Sequence, residues 1–289
     1  MVYAYSWYLD IVCPDWEAFV EDDYKSVMPL TMRKKYNLHY TFCPPYTQQL
    51  GLFSTSKIKE KDVDLFLSKV PAKYKYIEMN LNEQNSFEND SFQIIPHVTY
   101  LVNLAHSYKD IFANYATQTK RNLKKAQAAS LKIIKDIKPE KTIELFRANR
   151  GRQYSYKPAQ YDTLNRLMLA CINRGIGQSW GCYSKENEFC AGVFFLESNK
   201  RVIFLFSGAN TKGYETHALT FLFNSYMEEN AGRDVMFDFE GGTDPNLARF
   251  YKGFGSMQVN YLQIKKTLLP KPLKLIKELR DKIRASSGG

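Results

Sequence analysis

QSWGCY (178–183), FCAGVFFL (189–196) and RVIFLFSG (201–208) follow one another along the chain with only short polar connections between them. The runs contain many aromatic or other apolar residues, and each is about as long as one strand, so together they predict an antiparallel meander. The pattern continues with a helix at 216–229, a strand at 235–239, a helix at 245–254 and a strand at 258–265. Helices around such a meander are typical of an α+β fold built from α and β layers.

The residues before the meander predict further elements. Helices are expected at 117–129, 139–149 and 158–174. Nearer the N-terminus we expect short strands and helices, beginning with an extended segment at 3–8 and a helix at 15–19. These patterns divide the chain into an N-terminal domain (1–106), a second domain (107–267) and a C-terminal basic amphipathic helix with its tail (268–289).

Composition and missing motifs exclude several classes of protein. The chain has 289 residues, 44% of them hydrophobic and 15% aromatic, which excludes a disordered protein. Its longest apolar runs are strand-sized and its first residues lack a signal-peptide pattern, so we expect a cytoplasmic protein without a transmembrane segment. Five scattered cysteines support neither a disulfide framework nor a zinc site, and no metal is expected. The sequence also lacks a Walker A loop and a G-x-S-x-G elbow.

The net charge of +10 is concentrated in two segments. Residues 120–174 hold 14 Lys and Arg against 4 Asp and Glu, and residues 265–289 hold 8 against 2. An anionic partner is one explanation, and a solvated basic surface is another. The basic C-terminal helix can likewise contact the inner face of an anionic membrane or dock against the core.

Two basic clusters are candidate sites for phosphate or for an acceptor. The first lies in TKRNLKKA, where Lys120, Arg121, Lys124 and Lys125 occupy the first turns of a helix and oppose its dipole. The second combines arginines with aromatic rings that suit phosphates and stacking, and consists of Arg150, Arg152, Tyr154 and Tyr156. A solvated face is the alternative for both.

Two junctions after the meander are candidate ligand sites. In FSGANTKGYETH (206–217), Gly208 and Gly213 permit close approach of a ligand and Lys212 adds a charge, although a plain connecting loop fits as well. In FDFEGG (237–242), Asp238 and Glu240 alternate along a strand, so only one of them can face a given cleft.

That strand-end carboxylate is a candidate general base. Tyr251 and Lys252, on the next helix, are candidates for the acid or the oxyanion partner. Structural carboxylates at a turn are the alternative.

Taken in order, TKRNLKKA, LFSGANTKGYETHALTFLF, FDFEGG and FYKGFGS resemble the Fem family of peptidoglycan aminoacyltransferases and related GNAT-superfamily acyltransferases. The resemblance implies tandem GNAT-like domains with mixed, mostly antiparallel sheets, the second domain being catalytic. It implies transfer of an acyl or aminoacyl group to an amine of a peptidoglycan precursor or of a small molecule. Aminoacyl-tRNA or acyl-CoA would be the co-substrate, with no tightly bound cofactor. The implied donor-binding residues are Phe206, Ser207, Gly208, Ala209, Asn210, Lys212, Gly213 and Tyr214.

A second function is also compatible with these residues. Tyr251 stands where family members typically carry Lys, and NTKGYETHA lacks the pyrophosphate loop of acetyl-CoA enzymes. A catalytically degenerate module of the same fold, binding an anionic ligand or RNA, is therefore the alternative.

Overall fold

The computed structural model describes residues 1–35, 37–154 and 156–270. The predicted C-terminal helix lies almost entirely outside these residues. The helices are α1 (Ser6–Val12), α2 (Glu60–Ser68), α3 (Tyr108–Ala113), α4 (Thr117–Ala128), α5 (Pro139–Ala148), α6 (Pro158–Asn173), α7 (Thr211–Glu215), α8 (Ala218–Asn230) and α9 (Pro245–Lys252). Short 3₁₀ turns occupy Val2–Ala4 and Arg150–Gln153. None of the helices in the described part of the chain combines the length and the hydrophobicity needed to cross a bilayer.

The strands form mixed, mostly antiparallel sheets, as predicted. They are β1 (Glu17–Glu21), β2 (Ser26–Leu30), β3 (Met32–Lys35), β4 (Leu38–Thr41), β5 (Phe53–Ser54), β6 (Tyr74–Asn80), β7 (Gln93–Asn103), β8 (Lys132–Lys135), β9 (Gly177–Tyr183), β10 (Phe189–Ser198), β11 (Arg201–Ala209), β12 (Met236–Asp238) and β13 (Met257–Thr267).

The chain forms two compact units whose limits differ from the predicted segments. The first contains Met1–Val12 together with Val98–Asn260, and the second contains Cys13–His97 together with residues 261–270. The first twelve residues thus belong with the meander.

In the first unit, the strand order is β7-β12-β11-β10-β9-β8. All neighbouring pairs are antiparallel except β11 with β12, which run parallel. The predicted meander is confirmed as β9, β10 and β11. α8 covers the sheet with Leu222, Phe223, Tyr226 and Met227, all of them buried in one aromatic core.

In the second unit, β3, β4, β6 and β13 form one sheet, whose only parallel pair among the described residues is β4 with β6. A separate antiparallel sheet has the order β1-β2-β5. A core that includes Val63, Phe66 and Leu67 of α2 packs within this unit.

Two predictions near the N-terminus are wrong. The expected extended segment at 3–8 is a 3₁₀ turn followed by α1, because Tyr8, Leu9 and Val12 form a buried helical face. The expected helix at 15–19 is replaced by β1, whose five residues pair with β2. In both places, contacts made after folding outweigh local preference.

Candidate functional site

The candidate site lies in the first unit, where the parallel strands β11 and β12 separate. Their ladder ends at the pair Ile203–Asp238, and β12 ends there too. β11 continues to Ala209, and its pairing with β10 shifts register so that Leu205 is left as a bulge. The parting of the two strands makes room for a ligand beside the continuing part of β11.

A cavity of about 450 Å³ opens along this part of β11. That volume is within the range of small-molecule binding sites. α4 contributes Asn122 to its lining and α9 contributes Tyr251. Most of the other walls are apolar or aromatic, with side chains from α5, α8, α9 and β11 that include Phe146, Phe204, Leu219, Phe223, Leu247 and Phe250.

Six of the eight predicted donor-binding residues line the cavity, namely Phe206, Ser207, Gly208, Ala209, Gly213 and Tyr214. The other two are occupied elsewhere. Asn210 caps α7, its side-chain oxygen accepting a hydrogen bond from the Gly213 N–H at 2.8 Å. Lys212 forms salt bridges of 2.8 and 3.4 Å to Glu186 and Glu188, which already balance its charge.

The two glycines of this segment line the cavity and also allow close packing of neighbouring elements. A Cβ on Gly208 would lie 2.5 Å from the Thr142 carbonyl oxygen of α5. A Cβ on Gly213 would lie 2.2 Å from the Cys190 carbonyl oxygen of β10. Both positions need glycine because the backbone of a neighbouring element fills the space.

Asp238, at the end of β12, is held by the protein on several sides. Its Oδ1 accepts hydrogen bonds from the Thr99 hydroxyl at 2.5 Å and from the Glu240 N–H at 2.9 Å. Its Oδ2 lies 3.5 Å from Nε of the buried Arg201. Asp238 is 1% exposed and does not line the cavity, so these contacts support a structural role.

Glu240 lies beyond the end of β12, in a tight bend. Its φ is 50°, and Gly241 and Gly242 follow at 110° and 136°, so the predicted alternation of Asp238 and Glu240 along one strand does not occur. The Tyr3 hydroxyl donates a hydrogen bond to Glu240 Oε1. Glu240 does not line the cavity.

The pKa of Glu240 is strongly perturbed. Burial of the carboxyl group raises it to about 8, and the Asp238 charge adds to the rise, whereas the Tyr3 hydrogen bond and Arg201 lower it. Burial, followed by the charge of Glu240, raises the pKa of the Tyr3 phenol. The carboxyl group therefore changes its protonation state near physiological pH instead of in acid.

Tyr251 is the predicted catalytic residue that reaches the cavity. Its ring stacks on Phe239 with centroids 4.6 Å apart. Burial, then the charge of Glu240, raises the pKa of the phenol, which therefore stays protonated and can donate a hydrogen bond. Lys252 is exposed instead, with its ammonium 5.6 Å from the centre of the Tyr100 ring, and does not line the cavity.

The basic residues of α4 lie beside the site. Lys120 donates a hydrogen bond to the Ala113 carbonyl at 2.8 Å, whereas Arg121, Lys124 and Lys125 are exposed. Lys125 is close enough to His217, which lines the cavity, to contribute to the lowering of its pKa, which burial mainly causes. A positive field thus adjoins the cavity without occupying it.

The second predicted basic cluster divides between the cavity and the surface. Arg150, Tyr154 and Tyr156 line the cavity. The Tyr154 and Tyr156 rings pack against Phe146 with centroid distances of 5.9 and 6.0 Å. Arg152 is exposed and does not line the cavity.

Sequence reasoning missed Tyr3, Phe146, Arg201 and His217. His217 lay within a segment already singled out, and its neighbour Ala218 begins the long helix α8. Tyr3 carried no usable signal, because its partner Glu240 is 237 positions away. A buried Arg201 at the start of an apolar strand was the one detectable hint, since a buried guanidinium needs a partner.

The fold of this protein is similar to that of several solved structures. No protein-family profile and no curated protein matches the sequence. Among solved structures, FemX matches with a TM-score of 0.59 and 10% identity, over 90% of this chain and 90% of that one. The C-terminal domain of a protein described as a lysylphosphatidylglycerol synthetase from Agrobacterium fabrum matches with a TM-score of 0.55 and 10% identity, over 92% of each chain. L-PGS from Bacillus licheniformis matches with a TM-score of 0.53 and 12% identity, over 92% of this chain and 88% of that one.

At these identities the likeness concerns the fold alone. It agrees with the resemblance noted in the sequence and with the mixed sheets of both units. The protein therefore has the fold seen in FemX and in L-PGS.

Proposed function

We propose that the protein is an N-acyltransferase that moves an acyl or aminoacyl group from an anionic carrier, acyl-CoA or charged tRNA, to an amine. The Fem-family resemblance adds an amine of a peptidoglycan precursor to small-molecule amines as the candidate acceptor. The carrier is a co-substrate, so no tightly bound cofactor is needed.

One observation carries this proposal: the cavity opens where β11 and β12 part, and the Tyr251 phenol lines it. A transferred carbonyl group placed beside the continuing part of β11 would lie against strand backbone on one side and this phenol on the other. Positioning and hydrogen bonds to developing charge are the main sources of rate in such transfers. Arg150 and the exposed basic side chains of α4 supply positive charge near the mouth for the carrier.

The reaction balances with Tyr251 as the proton donor. The acceptor nitrogen forms a C–N bond to the donor carbonyl carbon, and the C–S bond of a thioester or the C–O bond of an ester breaks. The Tyr251 phenol gives its proton to the departing sulfur or oxygen and then takes one from the new C–NH₂⁺ group. The first transfer needs a protonated phenol, and Tyr251 is protonated at neutral pH.

Glu240 has a positioning role here, since it does not line the cavity. Its charge raises the pKa of Tyr251, so its protonation state sets how firmly the phenol holds its proton. Asp238 and Arg201 hold the bend in which Glu240 lies.

The test is transfer by the purified protein, followed by mass spectrometry of amine acceptors incubated with an acyl-CoA panel or with a charged tRNA pool. Tyr251→Phe removes one hydroxyl and should lower kcat by about 10²-fold or more, the usual effect of losing a general acid. Tyr115→Phe is the matched control, because Tyr115 is a buried tyrosine of the same core that does not line the cavity. Absence of transfer from every donor, or equal rates in the two variants, contradicts the proposal.

A second candidate function is binding of an anionic ligand or RNA without chemistry. Arg121, Lys124 and Lys125 favour it, because all three are exposed on α4 and, among the residues the structure describes, no carboxylate forms a salt bridge with them. Binding that uses phosphate contacts weakens steeply with salt.

RNA affinity at several salt concentrations tests this candidate. Replacing the three α4 residues by Gln should reduce the slope of log affinity against log salt by about one for each phosphate that the variant no longer neutralises. The control replaces three exposed lysines of the second unit, Lys57, Lys61 and Lys69. A flat salt response in the unaltered protein, or equal slopes in both triple variants, contradicts RNA binding.

A further inference from the structure

Part of the cavity wall is a cluster of aromatic rings. Phe206 meets Phe146 edge-on with centroids 4.9 Å apart, and the Tyr154 and Tyr156 rings lie 5.7 Å from each other on the same phenylalanine. These rings, with the leucines of α8 and α9, surround about 450 Å³. An acetyl group has only three non-hydrogen atoms. Since one water molecule takes up roughly 30 Å³ in the liquid, a group of that size would fill only a small part of the cavity.

The charged side chains that line the cavity have only one sign, which is positive. Among the described residues that form this cavity there is no Asp and no Glu, and Arg150 is the only Lys or Arg. His217 is the other basic group, and burial lowers its pKa, so it is mainly uncharged at neutral pH. No described carboxylate forms a salt bridge with Arg150, whose guanidinium rests 5.9 Å from the centre of the Tyr154 ring.

Arg150 also belongs to a second cavity. This space of about 390 Å³ is lined by Asn149, Arg150, Gln153, Thr211 and Tyr214. Arg150 and Tyr214 line both cavities. Arg150 therefore lies where the apolar cavity meets a second cavity lined by polar side chains.

We infer that the apolar chamber takes an uncharged group of well over two carbons, and that Arg150 binds an anionic group attached to it. This inference rests on the proposed function in that the buried group would be the transferred acyl chain and the anion would belong to its carrier. A positively charged side chain, such as that of a lysyl group, is excluded because the chamber offers an ammonium no carboxylate and places it near a guanidinium.

Calorimetric titration with three simple probes tests the inference independently of turnover. Octanoate has an eight-carbon chain and an anion, acetate has the anion with little chain, and octylammonium has the same chain with the opposite charge. Octanoate should bind at least tenfold more tightly than either of the others, since burial of each additional CH₂ is favourable. Arg150→Gln should weaken octanoate binding at least tenfold.

Arg166→Gln is the control variant, because Arg166 is an exposed arginine of α6 that lines neither cavity. It should bind octanoate as the unaltered protein does, and equal urea midpoints would show that both variants fold. Equal affinities for octanoate and acetate, equal or tighter binding of octylammonium, no binding of octanoate, or equal affinities in the two arginine variants overturns the inference. Failure of acyl transfer with octanoate binding intact would instead contradict only the proposed function.

Discussion

Replacing Glu240 by Gln should remove a pH dependence from the stability of the protein. In the folded protein the pKa of Glu240 is about 8, against an ordinary value of 4.5. Between these pH values the unfolded chain has lost the proton and the folded chain still holds it, so the free energy of unfolding falls as pH rises. At about 1.4 kcal/mol for each pH unit, the loss approaches about 5 kcal/mol by pH 8.

Gln is an uncharged replacement of similar shape, so the variant should lack this loss. The stability of Glu240→Gln relative to the unaltered protein should therefore rise by several kcal/mol from pH 5 to pH 9. Urea unfolding at successive pH values, followed by tryptophan fluorescence to which the buried Trp180 contributes, measures the difference.

An exposed glutamate is the control for this experiment. Glu215→Gln on α7 removes one carboxylate outside the buried cluster and should leave the pH dependence of unfolding nearly unchanged. If the stabilities of Glu240→Gln and the unaltered protein differ by the same amount at pH 5 and pH 9, the buried environment assigned to Glu240 is refuted.

Three further substitutions test the surroundings of the site. Tyr3→Phe removes a hydrogen bond that lowers the pKa of Glu240, so the fall in stability should extend to higher pH, and an unmoved pH profile would contradict that contact. Asp238→Asn removes the carboxylate that forms a salt bridge with the buried Arg201 and should cost about 3–5 kcal/mol in urea unfolding, whereas a loss below 1 kcal/mol would show that the pair is not buried. Gly208→Ala places a Cβ 2.5 Å from a carbonyl oxygen of α5 and should cost about 1–3 kcal/mol by forcing that helix to shift, so an unchanged melting temperature would show that the packing is looser.

The sequence predicted secondary structure best where a helical pattern of apolar residues continued over a long segment. The predicted helices at 117–129, 139–149 and 158–174 correspond to α4, α5 and α6, which differ from them by one residue at most at either end. The three strands of the meander were equally clear, because most of their residues are apolar and buried on both faces. In these segments local preference and tertiary burial agree.

Shorter segments were decided by contacts that no local pattern contains. The segment EAFVE (Glu17–Glu21) forms a strand because all five of its residues pair with β2. The aromatic start of the chain became helical because Trp7 meets Arg174 of the α6 terminus at 4.4 Å and Tyr8 and Leu9 enter the core. Aromatic residues favour strands on average, but here burial of one helical face determined the outcome.

In the candidate site, too, the position of a segment was easier to predict than the contacts of its individual residues. The segment from Phe206 to Tyr214, predicted to bind the donor, contributes six residues to the cavity lining, because strand-to-helix junctions end at a sheet edge. The roles of single residues within it were less predictable: Lys212 is held by carboxylates from the preceding hairpin. A charged side chain near a glycine-rich turn indicates a ligand-binding site only when no oppositely charged side chain of the protein forms a salt bridge with it.

Tyr251 and Glu240 have different proposed roles because they lie at different distances from the cavity. Tyr251 lines the cavity, whereas Glu240 lies in the bend behind it and is hydrogen-bonded to Tyr3. When Glu240 loses its proton near pH 8, its charge raises the pKa of the phenol and so helps to keep the phenol protonated. In the proposed reaction, this charge would add to the burial that keeps Tyr251 protonated at the alkaline pH at which acceptor amines become deprotonated and nucleophilic. Tyr3, in the first turn of the chain, would contribute because its hydrogen bond lowers the pKa at which Glu240 becomes charged.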